Sequence, residues 1–226
     1  MARPKGKGKN DYSYELFFGL NLDEHQEKFV DMIFDKRIVF CDAVAGSGKT
    51  TLAIGAARIL NDLHGMECVY IFAPVQEQKL GFRPGSTSEK ERDYVQPLYD
   101  ALIEINENPM QAIFNEDVEN LKFANANAWV RTMSHTFLRG TNLKNKVVII
   151  DECQNFTLPE LRKVLTRISD DCKVICIGNG RQCDLNNPAT SGFHPYMNHF
   201  EEEEYCGICE LVNNYRGQLA QHADEI

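Results

Sequence analysis

The chain has 226 residues, enough for one substantial hydrophobic core and too few for two full-sized domains. Its hydrophobic fraction of 43% and charged fraction of 25% exclude collagen-like, low-complexity and wholly disordered classes. The formal net charge of −9 argues against coating of a polyanion, because nonspecific nucleic-acid binding depends on many lysine and arginine contacts with phosphates. Any nucleic-acid role therefore depends on a local patch.

The first residues are basic and rich in glycine and proline, with too little apolar surface to fold alone. We predict a flexible basic tail over residues 1–12 and a single domain over residues 13–226. The longest apolar run, residues 68–73, is far shorter than the about 20 residues of a membrane-spanning helix. No apolar stretch follows the basic tail, so a secretory signal is not expected either. We therefore expect a cytoplasmic protein with no membrane partner.

The apolar residues of the first half predict helix, strand, helix and strand in turn. Between Leu22 and Phe34 they lie on one side of a helix, for which Asn21 is a suitable cap. The segment RIVFCDA is a short apolar strand, TTLAIGAARIL has helical periodicity, and ECVYIFAP is a second buried strand. Glycines at 46 and 48 separate the first strand from the helix after it.

The second half repeats this alternation. KERDYVQPLYDALIEI is predicted as an amphipathic helix, and the short elements after it are ambiguous. KVVIIDE and KVICIGNG are typical of buried strands, and the helical segment LPELRKVLTRI lies between them. Strands that alternate with helices predict an α/β fold of three layers, in which helices cover both faces of a mostly parallel sheet of about five strands.

Residues 43–50, AVAGSGKT, match the phosphate-loop pattern GxxxxGK[ST] except that Ala43 replaces the first glycine. Glycines let main-chain N–H groups close around phosphate oxygens, and the following helix adds its positive amino end. An ordinary strand-to-helix turn does not explain why a lysine and a hydroxyl follow the glycines. We predict that the nucleotide is bound by Ala45, Gly46, Ser47, Gly48, Lys49, Thr50 and Thr51. Lys49 is also expected to stabilise the transferred phosphate.

An acidic pair, Asp151 and Glu152, follows the apolar strand KVVII. Carboxylate and hydroxyl oxygens suit Mg²⁺, so Asp151 and Thr50 are predicted to hold the metal. Glu152 is predicted to activate the attacking water as general base. Gln182 follows the next strand and is predicted to sense the γ-phosphate or position the water, because neighbouring parallel strands end in the same crevice. Solvated acids and a plain loop glutamine are the alternatives.

Several segments together make the chain resemble the PhoH-like proteins, a family of ATPases related to the first motor domain of superfamily 1 helicases. They are AGSGKTTLA, VQEQKLGFRPGS with YVQPLYDAL, FLRGTNLKNKVVIIDECQN, and GNGRQCDL. The resemblance covers nearly the whole chain and implies a RecA-like P-loop NTPase fold with ATP and Mg²⁺ as ligands. It also implies a link to phosphate starvation and coupling to RNA or single-stranded nucleic acid.

The same resemblance suggests roles for residues outside the glycine loop. Gln26 would contact adenine through its amide, with an exposed helix glutamine as the alternative. Arg216 would stabilise charge on the γ-phosphate, in cis or from a neighbouring subunit, and Arg139 is a comparable candidate for nucleotide or nucleic-acid contact. Asn179 stands where the family signature GD-x-x-Q has aspartate, which removes a negative charge beside the metal.

Other features have a plainer interpretation. Phe82 and Arg83 could contact a single strand, but packing of the aromatic ring is favoured. The eight cysteines are predicted as buried thiols in a reducing cytosol. Cys206 and Cys209 have C-x-x-C spacing, which is a weak zinc signal without a second matched pair.

The sequence thus predicts a magnesium-dependent ATPase. A nucleotide-switched binding module with little hydrolysis remains an alternative, which Asn179 favours, and a small-molecule kinase is disfavoured by Glu152 directly after Asp151. A chain with length for one motor domain is not expected to unwind as a monomer. A homo-oligomer, such as a hexameric ring in which Arg216 reaches a neighbour's site, is expected instead.

Overall fold

The computed structural model describes residues 17–73, 92–115, 125–138 and 140–223. The predicted tail over residues 1–12 lies outside this part of the chain, as do Phe82, Arg83 and Arg139. Within it, no helix is long and apolar enough to cross a membrane.

The described part of the chain contains six strands and seven α-helices, and four of the strands lie in the apolar runs RIVFCDA, ECVYIFAP, KVVIIDE and KVICIGNG, which predict them. The strands are β1 (Ile38–Ala43), β2 (Glu67–Phe72), β3 (Val130–Ser134), β4 (Lys146–Ile150), β5 (Lys173–Gly178) and β6 (Cys206–Leu211). The helices are α1 (Glu24–Asp35), α2 (Lys49–His64), α3 (Gln96–Glu104), α4 (Pro109–Ala112), α5 (Leu158–Leu165), α6 (Phe193–Phe200) and α7 (Gln218–Ala223). Short 3-10 turns precede α3 and follow β3 and β4.

The six strands form one sheet in the order β3-β2-β4-β5-β1-β6, and every pairing in it is parallel. Parallel neighbours need crossover connections, and these place helices on both faces. One face of β1, with Val39 and Cys41, packs in the core that contains α1, α2 and α3. The opposite face, with Ile38 and Phe40, packs against α5 and α6. The predicted three-layer α/β/α fold is therefore confirmed, with six strands instead of about five.

The additional strand β6 explains the C-x-x-C spacing. Cys206 and Cys209 are three residues apart in a strand, so their side chains point to opposite faces of the sheet. Cys206 accordingly belongs to the core beside α6, whereas Cys209 belongs to the core beside α1. Two thiols on opposite faces do not bind one metal ion, which favours the interpretation as buried thiols.

The first helix begins later than predicted. Asp23, not Asn21, is the N-cap of α1, and its carboxylate accepts from the main-chain N–H of Gln26. Gln26 in turn accepts from the Asp23 N–H through its side-chain oxygen, which completes a capping box. The prediction of Asn21 was wrong because the reciprocal hydrogen bonds of Asp23 and Gln26 place the cap two residues later.

Candidate functional site

The loop between β1 and α2 adopts the conformation that its glycines permit. Gly46 and Gly48 have φ of 71° and 81°, in the left-handed region that side chains disfavour. A Cβ on Gly46 would lie 2.5 Å from the Arg216 Cγ, so the position also needs glycine for space. Ala45 and Ser47 are buried, and the Ser47 hydroxyl has no hydrogen-bond partner among the described residues. The loop leads directly into α2, and the first main-chain N–H groups of a helix have no carbonyl partner within it.

The first residues of α2 contact two other parts of the fold. The Thr50 hydroxyl donates to Asp151 Oδ2 at 3.0 Å, across 101 positions of sequence. The Thr51 hydroxyl donates to Glu104 Oε2 at 2.5 Å, at the end of α3. Thr50 therefore lies at the predicted metal position beside Asp151, and the side chain of Thr51 fixes α2 against α3.

Asp151 lies directly after β4 and is buried. Its Oδ2 also accepts from the Tyr70 hydroxyl at 2.5 Å, and its Oδ1 accepts from the Glu152 N–H at 2.8 Å. Burial raises the pKa of Asp151, and the charge of Lys49 and the hydrogen bond from Tyr70 oppose that rise. Burial beside this carboxylate also raises the pKa of Tyr70, which keeps its hydroxyl a donor.

Lys49 forms an ion pair with the second acid: its Nζ lies 3.0 Å from Glu152 Oε1. Burial lowers the pKa of Lys49, but the carboxylates of Asp151 and Glu152 outweigh burial and raise it above its ordinary value. Lys49 is therefore a cation in a largely enclosed position. The glycine loop and the acidic pair, which sequence analysis joined only by inference, lie in contact.

Glu152 has an unusual backbone conformation, with φ 51° and ψ 45°. A non-glycine residue in this region costs about 1–2 kcal/mol, and such strain persists where surrounding contacts hold it. Here the Asn155 N–H donates to the Glu152 carbonyl at 2.9 Å, and Gln154 Nε2 donates to Glu152 Oε2 at 2.5 Å. These contacts aim the carboxylate at Lys49.

Gln154 connects the acidic pair to the loop after β5. Besides Glu152, its Nε2 donates to the Gln182 carbonyl at 3.1 Å, and its Oε1 accepts from the Asn179 N–H at 2.9 Å. Gln182 thus contributes a main-chain oxygen here, while its side chain is exposed. Asn179 is buried, and its side-chain oxygen accepts from the Arg181 N–H at 3.1 Å, which closes a turn.

Gln26 lies against the glycine loop and is not an exposed helix residue. Its Nε2 donates to the Ser47 carbonyl at 2.9 Å, and the whole residue is 7% exposed. Its Oε1 is held by the capping box of α1. The amide therefore lies at the edge of the loop, and both of its polar atoms form hydrogen bonds within the protein.

Residues after β6 return to the same loop. The Tyr215 N–H donates to the Gly46 carbonyl at 2.9 Å, and the Tyr215 hydroxyl donates to the Asp23 carboxylate. The Asn213 amide donates to the same carboxylate at 2.8 Å. Arg216 packs its aliphatic part beside Gly46, and its charge acts to lower the pKa of Lys49. Arg216 thus lies at the loop of its own chain.

The donor set fits the ligands that the loop predicts. Hydroxyl and carboxylate oxygens from Thr50 and Asp151 meet at one point, and such oxygens are the ligands that Mg²⁺ prefers. The buried, unpartnered Ser47 hydroxyl and the glycine cradle suit phosphate oxygens. No group of three or more metal-ligating side chains occurs within the described ranges. A metal held through few protein ligands together with phosphates is typical of magnesium.

Sequence analysis missed Tyr70, Gln154, Asp23 and Tyr215. Tyr70 is a hydroxyl within an apolar strand, and only its partner Asp151 gives it a role. Gln154 was visible in the segment DECQN, directly after the acidic pair, but its partners lie in another loop. Asp23 and Tyr215 meet across nearly the whole chain, and no local pattern indicates that contact.

Comparisons with known proteins agree with this architecture. The chain is 12% identical to the large terminase of a thermophilic bacteriophage, with a TM-score of 0.56 over 91% of this chain and 50% of that one. It is 14% identical to the Hef helicase domain of Pyrococcus furiosus, with a TM-score of 0.51 over 83% of this chain and 38% of that one. At these identities the likeness shows the fold alone. The fold and the loop at the head of α2 define a P-loop NTPase-type module.

Sequence relatives narrow the class to a family. A family model described as PhoH-like protein matches residues 21–225, and the chain belongs to this family. It is 30% identical over 192 residues to Protein PhoH of Escherichia coli strain K12, covering 84% of this chain and 52% of that protein. It is 32% identical over 193 residues to the PhoH-like protein of Mycobacterium leprae, with the same coverage of 84% and 52%. The chain spans about half the length of the curated relatives it matches.

Proposed function

We propose that this chain binds ATP together with Mg²⁺ and hydrolyses it. One observation supports the proposal most strongly: the start of α2 contacts the acidic pair after β4. Lys49 lies 3.0 Å from Glu152, and Thr50 lies 3.0 Å from Asp151. A turn with only a structural role does not need a largely enclosed lysine, a hydroxyl and two carboxylates at one point. Together they provide a cation for phosphates, oxygens for a metal and a carboxylate for water.

Each residue has a distinct task in this proposal. Main-chain N–H groups of the loop and the Lys49 ammonium bind the phosphate oxygens. Thr50 and Asp151 supply the oxygens that hold Mg²⁺, which neutralises phosphate charge when bound. Glu152 accepts a proton from the attacking water and must leave Lys49 for the phosphates to take its place. Gln154 keeps the Glu152 carboxylate oriented through their hydrogen bond.

We place Arg216 and Gln26 at the two ends of the nucleotide. Arg216 lies beside Gly46 of its own chain, so it is positioned to act in cis on the phosphates. Gln26 lies at the edge of the loop and is proposed to contact the base, beside the exposed ring of Tyr215.

If Arg216 acts in cis, the specific activity will not depend on protein concentration, even if a homo-oligomer dissociates over the range tested. An activity that rises with assembly would favour supply of the arginine by a neighbour.

The test of hydrolysis is Glu152→Gln. The amide keeps the size of the side chain but cannot accept a proton, so steady phosphate release should fall by a factor of about 100 or more. ATP affinity should be kept or increased, because the ion pair that occupies Lys49 is lost. Glu201→Gln, in an exposed loop, is the matched control and should behave as the wild type. Full turnover in Glu152→Gln would refute the assignment.

Coupling to single-stranded nucleic acid is a further part of the proposal. A terminase and a helicase domain share the fold, and their names describe proteins that act on nucleic acid. The net charge of −9 restricts such binding to a local patch. Phosphate release should be measured with and without an RNA oligonucleotide, and with single-stranded DNA of the same sequence. An unchanged rate and unchanged ATP affinity with both would count against coupling.

A nucleotide-switched binding module is the second candidate, because Asn179 replaces an acidic residue of the family signature. Asn179 uses its side-chain oxygen to close a turn with Arg181, so its main visible task does not need a charge. We favour hydrolysis over the switch because Glu152 supplies a carboxylate that can accept the proton of the attacking water. Tight ATP binding without phosphate release by the wild type would reverse that preference.

A further inference from the structure

Asp42, near the end of β1, makes two hydrogen bonds outside the glycine loop. Its Oδ1 accepts from the Gly180 N–H at 2.9 Å, and its Oδ2 is 3.0 Å from His194 Nε2. Asp42 pairs in register with Gly178 on the adjacent strand β5, which brings it beside the loop that follows. One carboxylate thereby joins the phosphate-loop strand, the loop after β5 and the first turn of α6.

The packing at Gly180 is tight. A Cβ there would lie 2.3 Å from His194 Cε1 and 2.7 Å from His194 Nε2, closer than real Cβ contacts allow, and 3.1 Å from Asp42 Oδ2. The imidazole therefore lies directly over the Gly180 backbone. The neighbouring ring of Phe193 is buried in the core, with its centroid 5.4 Å from that of His194. His194 thus follows a buried residue, and its half-exposed imidazole contacts Asp42 through Nε2.

The other side of the same loop is held by Gln154. Its Oε1 accepts from the Asn179 N–H, and its Nε2 donates both to the Gln182 carbonyl and to Glu152. Loop 179–182 therefore lies between two anchors: Asp42 on β1, and Gln154, which also donates to the carboxylate proposed as general base. A shift of the loop on the Asp42 side would move the amide that orients Glu152.

We propose that Asp42 and His194 form a clasp that positions loop 179–182 for turnover. This inference rests on the proposed hydrolysis. Asp42 and His194 are positioning residues: their hydrogen bonds end on each other and on Gly180, and they act on Glu152 through the loop and Gln154. Loss of the clasp should lower kcat and leave nucleotide affinity nearly unchanged, because the main-chain N–H groups of the glycine loop and the Lys49 ammonium, which are proposed to bind phosphate, lie outside loop 179–182.

The first test compares Asp42→Ala with Asp42→Asn. Alanine removes both hydrogen bonds, and kcat should fall about tenfold, since small misplacements of reacting groups have such effects. Asparagine keeps an acceptor for Gly180 and a partner for His194, so it should restore most of the rate. KM for ATP should stay within about twofold in both, as expected for an effect on orientation and not on binding. Hydrogen exchange at the Gly180 amide should accelerate in Asp42→Ala only.

The second test uses the contact between Gly180 and His194. Gly180→Ala should lower kcat because the new methyl displaces the imidazole. His194→Ala should also lower kcat, whereas His194→Gln should keep part of it, since the amide can reach Asp42. Because both changes break one clasp, the double variant Gly180→Ala with His194→Ala should be no slower than the worse single variant. His199→Ala, an exposed histidine on the same helix, is the control.

These experiments separate the clasp from the proposed function. Without steady phosphate release by the wild type, the hydrolysis proposal fails, while Gly180 hydrogen exchange still tests the clasp itself. With normal wild-type turnover, an unchanged kcat in Asp42→Ala would overturn the positioning role. A fall in kcat matched by an equal loss of ATP affinity, or additive effects in the double variant, would overturn it as well.

Discussion

At the scale of single residues, the candidate site depends on donors from distant segments. Asp151 accepts from Thr50, Tyr70 and the Glu152 N–H, so its carboxylate is buried with its oxygens satisfied. Burial alone would make the charged form costly, and these donors with Lys49 compensate for part of that cost. The protonation state of this group decides whether the site has an oxygen ligand of full charge.

Tyr70→Phe should make magnesium-dependent nucleotide binding more sensitive to acid. The Tyr70 hydroxyl lowers the pKa of Asp151 against the larger effect of burial, so its removal leaves that pKa higher. At a given acidic pH fewer Asp151 side chains are then ionised. As the pH is lowered, the variant should therefore lose its nucleotide affinity at a higher pH than the wild type does. Isothermal titration with ADP and Mg²⁺ at several pH values measures this. The difference between the two proteins should vanish at a pH high enough to ionise Asp151 in both, and coincident curves would contradict the prediction.

Gln154→Leu should reduce both turnover and stability. Leucine removes the acceptor for the buried Asn179 N–H, and an unsatisfied buried donor costs about 1–3 kcal/mol. It also releases the Glu152 carboxylate. Thermal unfolding and phosphate release measure the two effects. Gln182→Ala is the comparison variant for Gln154→Leu. It removes an exposed side chain but keeps the main-chain oxygen that accepts from Gln154, so the stability should not change. A fall of turnover in that variant would support the predicted role of Gln182 as sensor.

At the scale of elements, the start of α1 and the segment after β6 form one unit around Asp23. Its carboxylate caps α1 and accepts from Asn213 and Tyr215. Burial raises the pKa of Asp23, but the hydrogen bonds from Tyr215 and Asn213 and from the main chain outweigh it and lower the pKa. A carboxylate with a lowered pKa stabilises the fold at pH values above the ordinary pKa of aspartate. This stabilisation is lost as the pH falls through the lowered pKa.

Asp23→Ala should destabilise the protein by about 1 kcal/mol, the usual cost of a lost N-cap. For a chain of this size that lowers Tm by about 2–4 °C. Asp23→Asn keeps the cap and should lose less, and its deficit against the wild type should shrink as the solution is acidified, because the wild-type carboxylate becomes neutral. Thermal melts at neutral and acidic pH test both statements. Equal losses in the two variants would show that the cap contributes nothing measurable.

At the scale of the whole molecule, the strand order determines what the site contains. Strand β5 lies between β1 and β4, so the loop after β5 is placed between the glycine loop and the acidic pair. In an all-parallel sheet these three loops open at one edge, where ligands bind in folds of this kind. The same topology buries the cysteines, which lie mostly in the strands.

Thiol titration of the native protein should therefore give one reactive cysteine. Seven of the eight cysteines are buried, and Cys183 alone is partly exposed. Burial raises the pKa of Cys206 to about 11, which keeps that thiol protonated and unreactive. Ellman's reagent should modify about one thiol quickly, and Cys183→Ser should abolish that phase. In denaturant all eight should react, so a lower total would indicate disulfides and contradict the expectation of free thiols.

The sequence by itself determined the local chemistry. Apolar runs indicated β1, β2, β4 and β5, the glycine spacing predicted the loop at the head of α2, and the acidic pair could be placed at the end of β4, because each depends on contiguous residues. The segment of β3 was ambiguous. The sixth strand was missed, since β6 has a short, irregular apolar pattern with Gly207 and Glu210 inside it. The position of Arg216 beside the loop of its own chain was also open.

Only the tertiary structure decided which segments are neighbours. Tyr70 on Asp151, Gln154 between Glu152 and Asn179, and the contact of Asp42 with His194 join residues from different elements. Apart from Glu152 and Gln154, which are two residues apart, none of these residues has a sequence spacing that one helix or strand would bring together. Their proximity results from the packing of helices on both faces of the sheet, which depends on the whole chain and not on any one segment.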